Sequence, residues 1–234
     1  MEPAALHSCF VTGTDIGVGK TLVASALVHL LRARGVRAVG MKPVAAGASW
    51  RDGHWSNEGV ERLAEVGSFP LPSTALCPYL LEPAVAPHIA AELSGVTLRL
   101  EPMLQTYEAL ATWADVVVVE GVGGFRVPLS AGFDSADLAL ELGLPVLLVV
   151  GLRPGCLNHA LLTAEALASR GLKLLGWVAN QIDRDMRMAD RHVDALRQRL
   201  AAPCVGSVPW LAAPMPVTAG RWLRLDKLMV GLEA

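Results

Sequence analysis

Apolar and polar positions alternate along the 234-residue chain in blocks of two kinds. Short continuous apolar runs occupy 9–11, 36–41, 115–120, 145–150, 174–180 and 204–209. Such runs predict strands buried on both faces of a parallel sheet. Between them, apolar residues recur at three- and four-residue spacing, predicting helices over 22–34, 57–66, 84–93, 101–113, 157–170 and 186–200. A last helix is predicted over 223–232. Gly35 stops the first helix. The segment 42–47 reads as a flexible turn, 50–55 as a polar loop, and 69–87 as proline-broken and irregular. No repeat, low-complexity tract or linker interrupts the alternation. Strand and helix in turn predict an α/β fold: one doubly wound, mainly parallel sheet with helices on both faces, residues 1–234 forming a single domain.

Composition narrows the partners. A formal net charge of -2 and no basic cluster argue against nucleic acid. Cys9, Cys77, Cys156 and Cys204 have no C-x-x-C spacing and read as reduced thiols in a cytoplasmic protein. No charged segment followed by a long apolar core marks a secretory signal. Mean hydropathy is high, at +0.42. Yet the uncharged stretch 200–220 carries Pro203, Pro209, Pro214 and Pro216, which would break a membrane-spanning helix. No membrane partner is expected, and the excess apolarity points to a buried subunit interface.

Candidate chemistry begins where the first strand meets the first helix. Val11-Thr12-Gly13-Thr14-Asp15-Ile16-Gly17-Val18-Gly19-Lys20-Thr21 is a glycine-punctuated loop between the two. Glycines let successive N–H groups turn inward, and the helix N-terminus adds partial positive charge. Lys20 can reach the outer phosphates of a nucleotide, and the Thr21 hydroxyl suits magnesium. The spacing from Gly13 is one residue longer than the usual phosphate loop. With strand before and helix after, the stretch reads as a phosphate-binding loop of the P-loop NTPase type.

Other candidates sit at strand tips, the edge where open parallel sheets bind ligands. Lys42 ends the second predicted strand; alone, it would read as a solvated lysine. Glu120 ends the apolar run 115–120 and precedes Gly121-Val122-Gly123-Gly124. It reads either as a magnesium-coordinating carboxylate or as a surface residue closing a strand. Asn180, at the tip of 174–180, is equally a turn residue or a nucleobase ligand, offering both donor and acceptor.

These stretches together resemble the dethiobiotin synthetase family. The resemblance is carried by the loop, by Lys42-Pro43-Val44-Ala45, and by Glu120-Gly121 with Gly123-Gly124. It continues through Pro128-Leu129-Ser130, Leu144-Pro145-Val146, Gly155-Cys156-Leu157-Asn158-His159-Ala160, Gly176-Trp177-Val178-Ala179-Asn180 and Pro209-Trp210-Leu211. It runs nearly end to end in one order. It implies an ATP- and magnesium-dependent closure of the ureido ring from 7,8-diaminononanoate and CO2. By the resemblance, Lys20 and Lys42 are catalytic. Gly13, Thr14, Asp15, Gly17, Val18, Gly19, Lys20 and Thr21 cradle ATP, with Asn180, Pro209, Trp210 and Leu211 around its base. Thr21 and Glu120 hold the metal. Thr14, Lys42, Gly123, Gly155, Cys156 and Asn158 take the substrate, the 155–158 segment coming from the second subunit of a homodimer. His159 and Cys156 read as structural rather than nucleophilic, since the chemistry needs no covalent enzyme intermediate.

Three positions depart from the family pattern. Ile16-Gly17 replaces Thr-Glu, Gly59 stands where a magnesium-binding aspartate is usual, and Ala46 replaces a serine. Glu58 and Glu61 are nearby carboxylates. A different class of reading is a nucleotide-driven partitioning switch, whose early-loop lysine is matched here by Asp15. Glutamine-dependent amidases of related fold need a further domain that this length does not hold.

Overall fold

The computed structural model describes residues 8–230. β1 (Cys9–Gly13) leads through the glycine loop into α1 (Lys20–Ala33). Then follow β2 (Ala38–Met41), β3 (Val44–Ala46), β4 (Ser49–Arg51), β5 (His54–Ser56), α2 (Glu58–Val66), α3 (Ser73–Leu76) and β6 (Tyr79–Leu81). Next come α4 (Pro87–Leu93), α5 (Leu100–Ala111), β7 (Val116–Glu120), α6 (Ser135–Leu142), β8 (Val146–Leu152) and α7 (Cys156–Ser169). β9 (Leu174–Gln181), α8 (Ala189–Arg197), β10 (Cys204–Val208), α9 (Pro216–Gly220) and α10 (Leu225–Val230) complete the described chain.

Six strands form one parallel sheet in the order β10-β9-β8-β1-β7-β2. The predicted doubly wound α/β architecture is the observed one. β1 lies at its centre, and Val11 pairs with Glu120, aligning the start of the loop with the tip of β7. Alternation along β7 shows why its run is wholly apolar. Val117 and Val119 pack on one face with Phe10 and Met103, while Val116 and Val118 pack on the other with Leu27 and Val23 of α1. Removing one such fully buried leucine, Leu27 for example, would cost about 2–5 kcal/mol, transfer and cavity together.

Four expectations need correction. The 42–47 segment is not a free turn: β3 pairs in parallel with β6, whose own segment was read as irregular. The 50–55 segment is an antiparallel hairpin, β4 with β5, closed at Asp52-Gly53 with φ of 49° and 83°. α6 had no counterpart in the hydrophobic pattern, nor did α9. α8 is shorter at both ends than the predicted 186–200. The predicted last helix is α10, with 231–232 outside the described residues.

All four cysteines are free, three of them buried. Burial pushes the Cys9 and Cys77 thiols up to about 12, so neither is a ready nucleophile. Among the described residues no helix is long and apolar enough to cross a membrane.

Candidate active site

The site is built on the C-terminal edge of the sheet, where the loop after β1 meets the tips of β2, β7 and β9. The loop needs glycine at Gly19, the residue before α1. Its φ is +91°, and a Cβ there would lie 2.2 Å from Asn180 Nδ2. The Thr14 N–H donates to the Val149 carbonyl at 3.0 Å, anchoring the loop to β8. Asp15 is tied down on both sides. Its carboxylate accepts from the Ile16 N–H at 2.7 Å and from the Arg153 guanidinium beyond β8. Those bonds hold the Asp15 carboxyl below its ordinary range, the Ile16 N–H contributing most.

Lys20 starts α1 and is buried. Its ammonium donates to the Asp15 carbonyl at 3.0 Å, inside the loop. Burial lowers its pKa to about 8, with Glu120 opposing the shift and Lys42 adding to it. Glu120 is the junction of the site. Its Oε1 accepts from the Thr21 hydroxyl at 2.6 Å and from Lys42 Nζ at 2.5 Å. Its Oε2 is buried and accepts no hydrogen bond among the described residues. A carboxylate oxygen held dry without a partner is costly. Beside a threonine hydroxyl, it forms a hard-oxygen set suited to magnesium.

Lys20, Thr21, Lys42 and Glu120 thus converge, and they line one cavity of about 690 Å³ with Asp15, Gly17, Gly19 and Gly123. Its outer rim is apolar: Val85, Ala86 and Pro87 from one side, Val122 and Val127 from the other. A second pocket of about 360 Å³ shares Gly17, Gly19 and Thr21 and is closed by Asn180, Pro209, Trp210 and Leu211. Arg62 of α2 also lines it. The Arg184 guanidinium stacks over the Trp210 ring at 5.1 Å.

Gly13, Thr14 and Val18 shape the loop but line neither cavity. Gly155, Cys156 and Asn158 open α7 and do not line them either. The Cys156 side chain is buried, and its N–H donates to the Arg153 carbonyl at 3.0 Å. Motif reading missed Arg62, Arg153, Arg184 and the 85–87 rim. All four come from loops or helix faces without a motif of their own.

A family model described as an AAA domain matches residues 7–218. The ATP-dependent dethiobiotin synthetase BioD of Janthinobacterium sp. (strain Marseille) is 52% identical over 223 residues, 94% of each chain. That of Aromatoleum aromaticum is 53% identical over 216 residues, covering 92% of this chain and 96% of its own. The chain belongs to the dethiobiotin synthetase family. Solved structures add the fold: the cell division ATPase MinD of Pyrococcus furiosus superposes with a TM-score of 0.57 at 19% identity. That match covers 97% of this chain and 98% of MinD.

Within this chain the three departures from the family pattern have definite places. Ile16 is exposed and lines the larger cavity, as does Ala46. A Cβ on Gly59 would sit 3.5 Å from Thr21 Oγ1, so that position faces the magnesium-suited oxygens without offering one. Neither neighbouring carboxylate lines the cavity. Glu58 is exposed and paired with Arg62 at 2.7 Å, and Glu61 accepts from the Ser56 hydroxyl.

Proposed function

We propose that the Lys20–Thr21–Lys42–Glu120 cluster is where this ATP-dependent ligase of biotin biosynthesis closes the ureido ring of dethiobiotin. The reading rests on one observation above others: two lysines, a hydroxyl and a carboxylate from three separate elements meet in a single cavity beside a phosphate loop.

One amine of 7,8-diaminononanoate captures CO2 as a carbamate. A carbamate oxygen attacks the γ-phosphorus of ATP, and ADP leaves. The product is a mixed carbamic–phosphoric anhydride. The second amine attacks its carbonyl carbon, the C–O bond breaks, and phosphate departs with that oxygen. Each of these species is anionic, so positioning and electrostatic clamping carry the catalysis. Lys42 faces the carbamate and the transferring phosphoryl group. Lys20 gives up the Asp15 carbonyl for the phosphates. A bound nucleotide, by bringing negative charge, restores the ammonium that burial disfavours. Magnesium, held by Thr21 and Glu120 with phosphate oxygens, would supply neutralisation of the polyphosphate charge. Asn180 and Pro209-Trp210-Leu211 receive the adenine.

The remote carboxylate of the diamine is held at the first turn of α7 (Gly155, Cys156, Asn158) of a neighbouring copy, making the site a homodimer property. With the Cys156 side chain buried among apolar neighbours and its N–H donating to the Arg153 carbonyl, its share there is to shape the turn. Residues 1–234 act as one catalytic domain, in the cytoplasm. A partitioning switch has only the fold in its favour, and Asp15, paired with Arg153, replaces the lysine that such switches carry.

Purified protein incubated with magnesium-ATP, 7,8-diaminononanoate and ¹³C-bicarbonate tests the reading. Labelled dethiobiotin formed only with ATP supports it; ATP hydrolysis without that product sinks it.

A further inference from the structure

We infer that Asn180 is a positioning residue of the phosphate loop, so that a single amide couples nucleobase recognition to the order of the loop. The inference deepens the nucleotide reading of the two cavities and rests on it.

Asn180 ends β9 and is nearly fully buried. Its Nδ2 donates to the Val18 carbonyl at 2.9 Å, across 162 residues of chain. A carbonyl only accepts, so this contact also settles which end of the amide faces the loop. The next residue, Gly19, packs so close that a Cβ would reach 2.2 Å from Nδ2. Both Gly17 and Gly19 have positive φ, at 72° and 91°. A loop in that conformation, N-terminal to a helix, persists where its surroundings hold it.

Besides Lys20, which donates to the Asp15 carbonyl, two side chains from beyond the loop and α1 supply the hold. Arg153 grips Asp15 at the front of the loop, but both partners are more than a third exposed, so water competes for the pair. Asn180 grips Val18 at the rear in a dry setting, where a hydrogen bond counts for more. The amide is not exhausted by this contact. One N–H serves Val18, and the second N–H and Oδ1 remain for the pocket lined by Trp210 and Leu211. A base that engages that edge therefore favours the amide orientation that fixes the loop. By reciprocity, a phosphate that orders the loop favours base binding.

The test separates the two duties of Asn180. Hydrogen exchange of residues 13–21 is followed by mass spectrometry in the nucleotide-free protein, unaltered and Asn180→Ala. Inhibition by inorganic tripolyphosphate, which has no base, is measured against magnesium-ATP for both. The inference expects faster exchange confined to the loop and first turn of α1, and tripolyphosphate bound ~3- to 10-fold more weakly, the worth of one buried hydrogen bond. Unchanged loop exchange overturns it, whatever happens to the KM for ATP, and leaves Asn180 as a base ligand alone. Should the alanine variant fold poorly, Asn180→Ser, too short to reach Val18, replaces it with the same two readouts. If the unaltered protein neither turns over ATP nor binds tripolyphosphate, the nucleotide reading falls, while loop exchange still decides the positioning role.

Discussion

The two ends of the candidate site are built differently. At the phosphate end, Thr21 and Lys42 share Glu120, which is 1% exposed, and Lys20 is tied to the Asp15 carbonyl beside them. At the base end, Trp210 is 39% exposed, braced by an arginine from a loop, with Asn180 the one buried polar group among its lining residues. Buried charges with a shared partner cannot be removed singly without stranding another. An exposed ring contributes area and stacking, which neighbours partly replace. On the proposed reading, the contrast assigns the chemistry to the interlocked end and the adjustment of affinity to the open one.

The sharpest break of that contrast is Lys42→Met. On the proposed reading it removes a cation facing the transferring group, so kcat should fall on the order of 10³-fold while the KM for ATP moves less than about threefold. Steady-state kinetics check it; near-normal turnover would dissolve the distinction. Glu120→Ala comes next. It leaves the Lys42 ammonium unpaired in a site where its side chain is 12% exposed. Equilibrium unfolding in urea should show a loss of roughly 3 kcal/mol.

Lys20 gives a pH test of intermediate size. Its folded pKa of about 8 lies below the ordinary 10.5. Between those values the unfolded chain binds more protons, so folding gains stability from this group as pH rises, and carries the cost of the buried ammonium below 8. Cys9 and Cys77, raised to about 12, act in the opposite sense above 9. Lys20→Met should therefore be more stable than the unaltered chain at pH 7, by an advantage that shrinks toward pH 9. Affinity for ATP, which needs the ammonium, should decline as pH passes about 8, measured by calorimetry. The smallest effect belongs to the open end: Trp210→Ala should raise the KM for ATP by ~3- to 10-fold and leave kcat unchanged.

Much of this architecture is legible in the sequence because buried parallel strands leave a plain mark. The valines of β7 serve two faces at once, so 115–120 could be read directly, as could β1, β8 and β9. The phosphate end was equally legible: a glycine loop before Lys20-Thr21, and a lysine and a glutamate at strand tips. What escaped lacks that mark. β3 and β6 are three residues each and, as strands, pair only with one another. The β4–β5 hairpin is three residues a side and largely exposed, Trp50 and Trp55 included, so its signal is reduced to Asp52-Gly53. α6 spans eight residues, and its cue was a capping box, Asp134 with Asp137, rather than an apolar stripe. The second contact of Asn180 joins segments 162 residues apart, which no local pattern can announce.

The central claim is that a carbamate oxygen attacks ATP within the Lys20–Lys42–Glu120 cluster. It is tested most directly by following oxygen. Single-turnover reaction with ¹⁸O-labelled CO2, quenched before exchange with water, should deliver one labelled oxygen into the released phosphate for each dethiobiotin formed. Phosphate without label, accompanied by dethiobiotin, would contradict the mixed-anhydride route and the role assigned to Lys42.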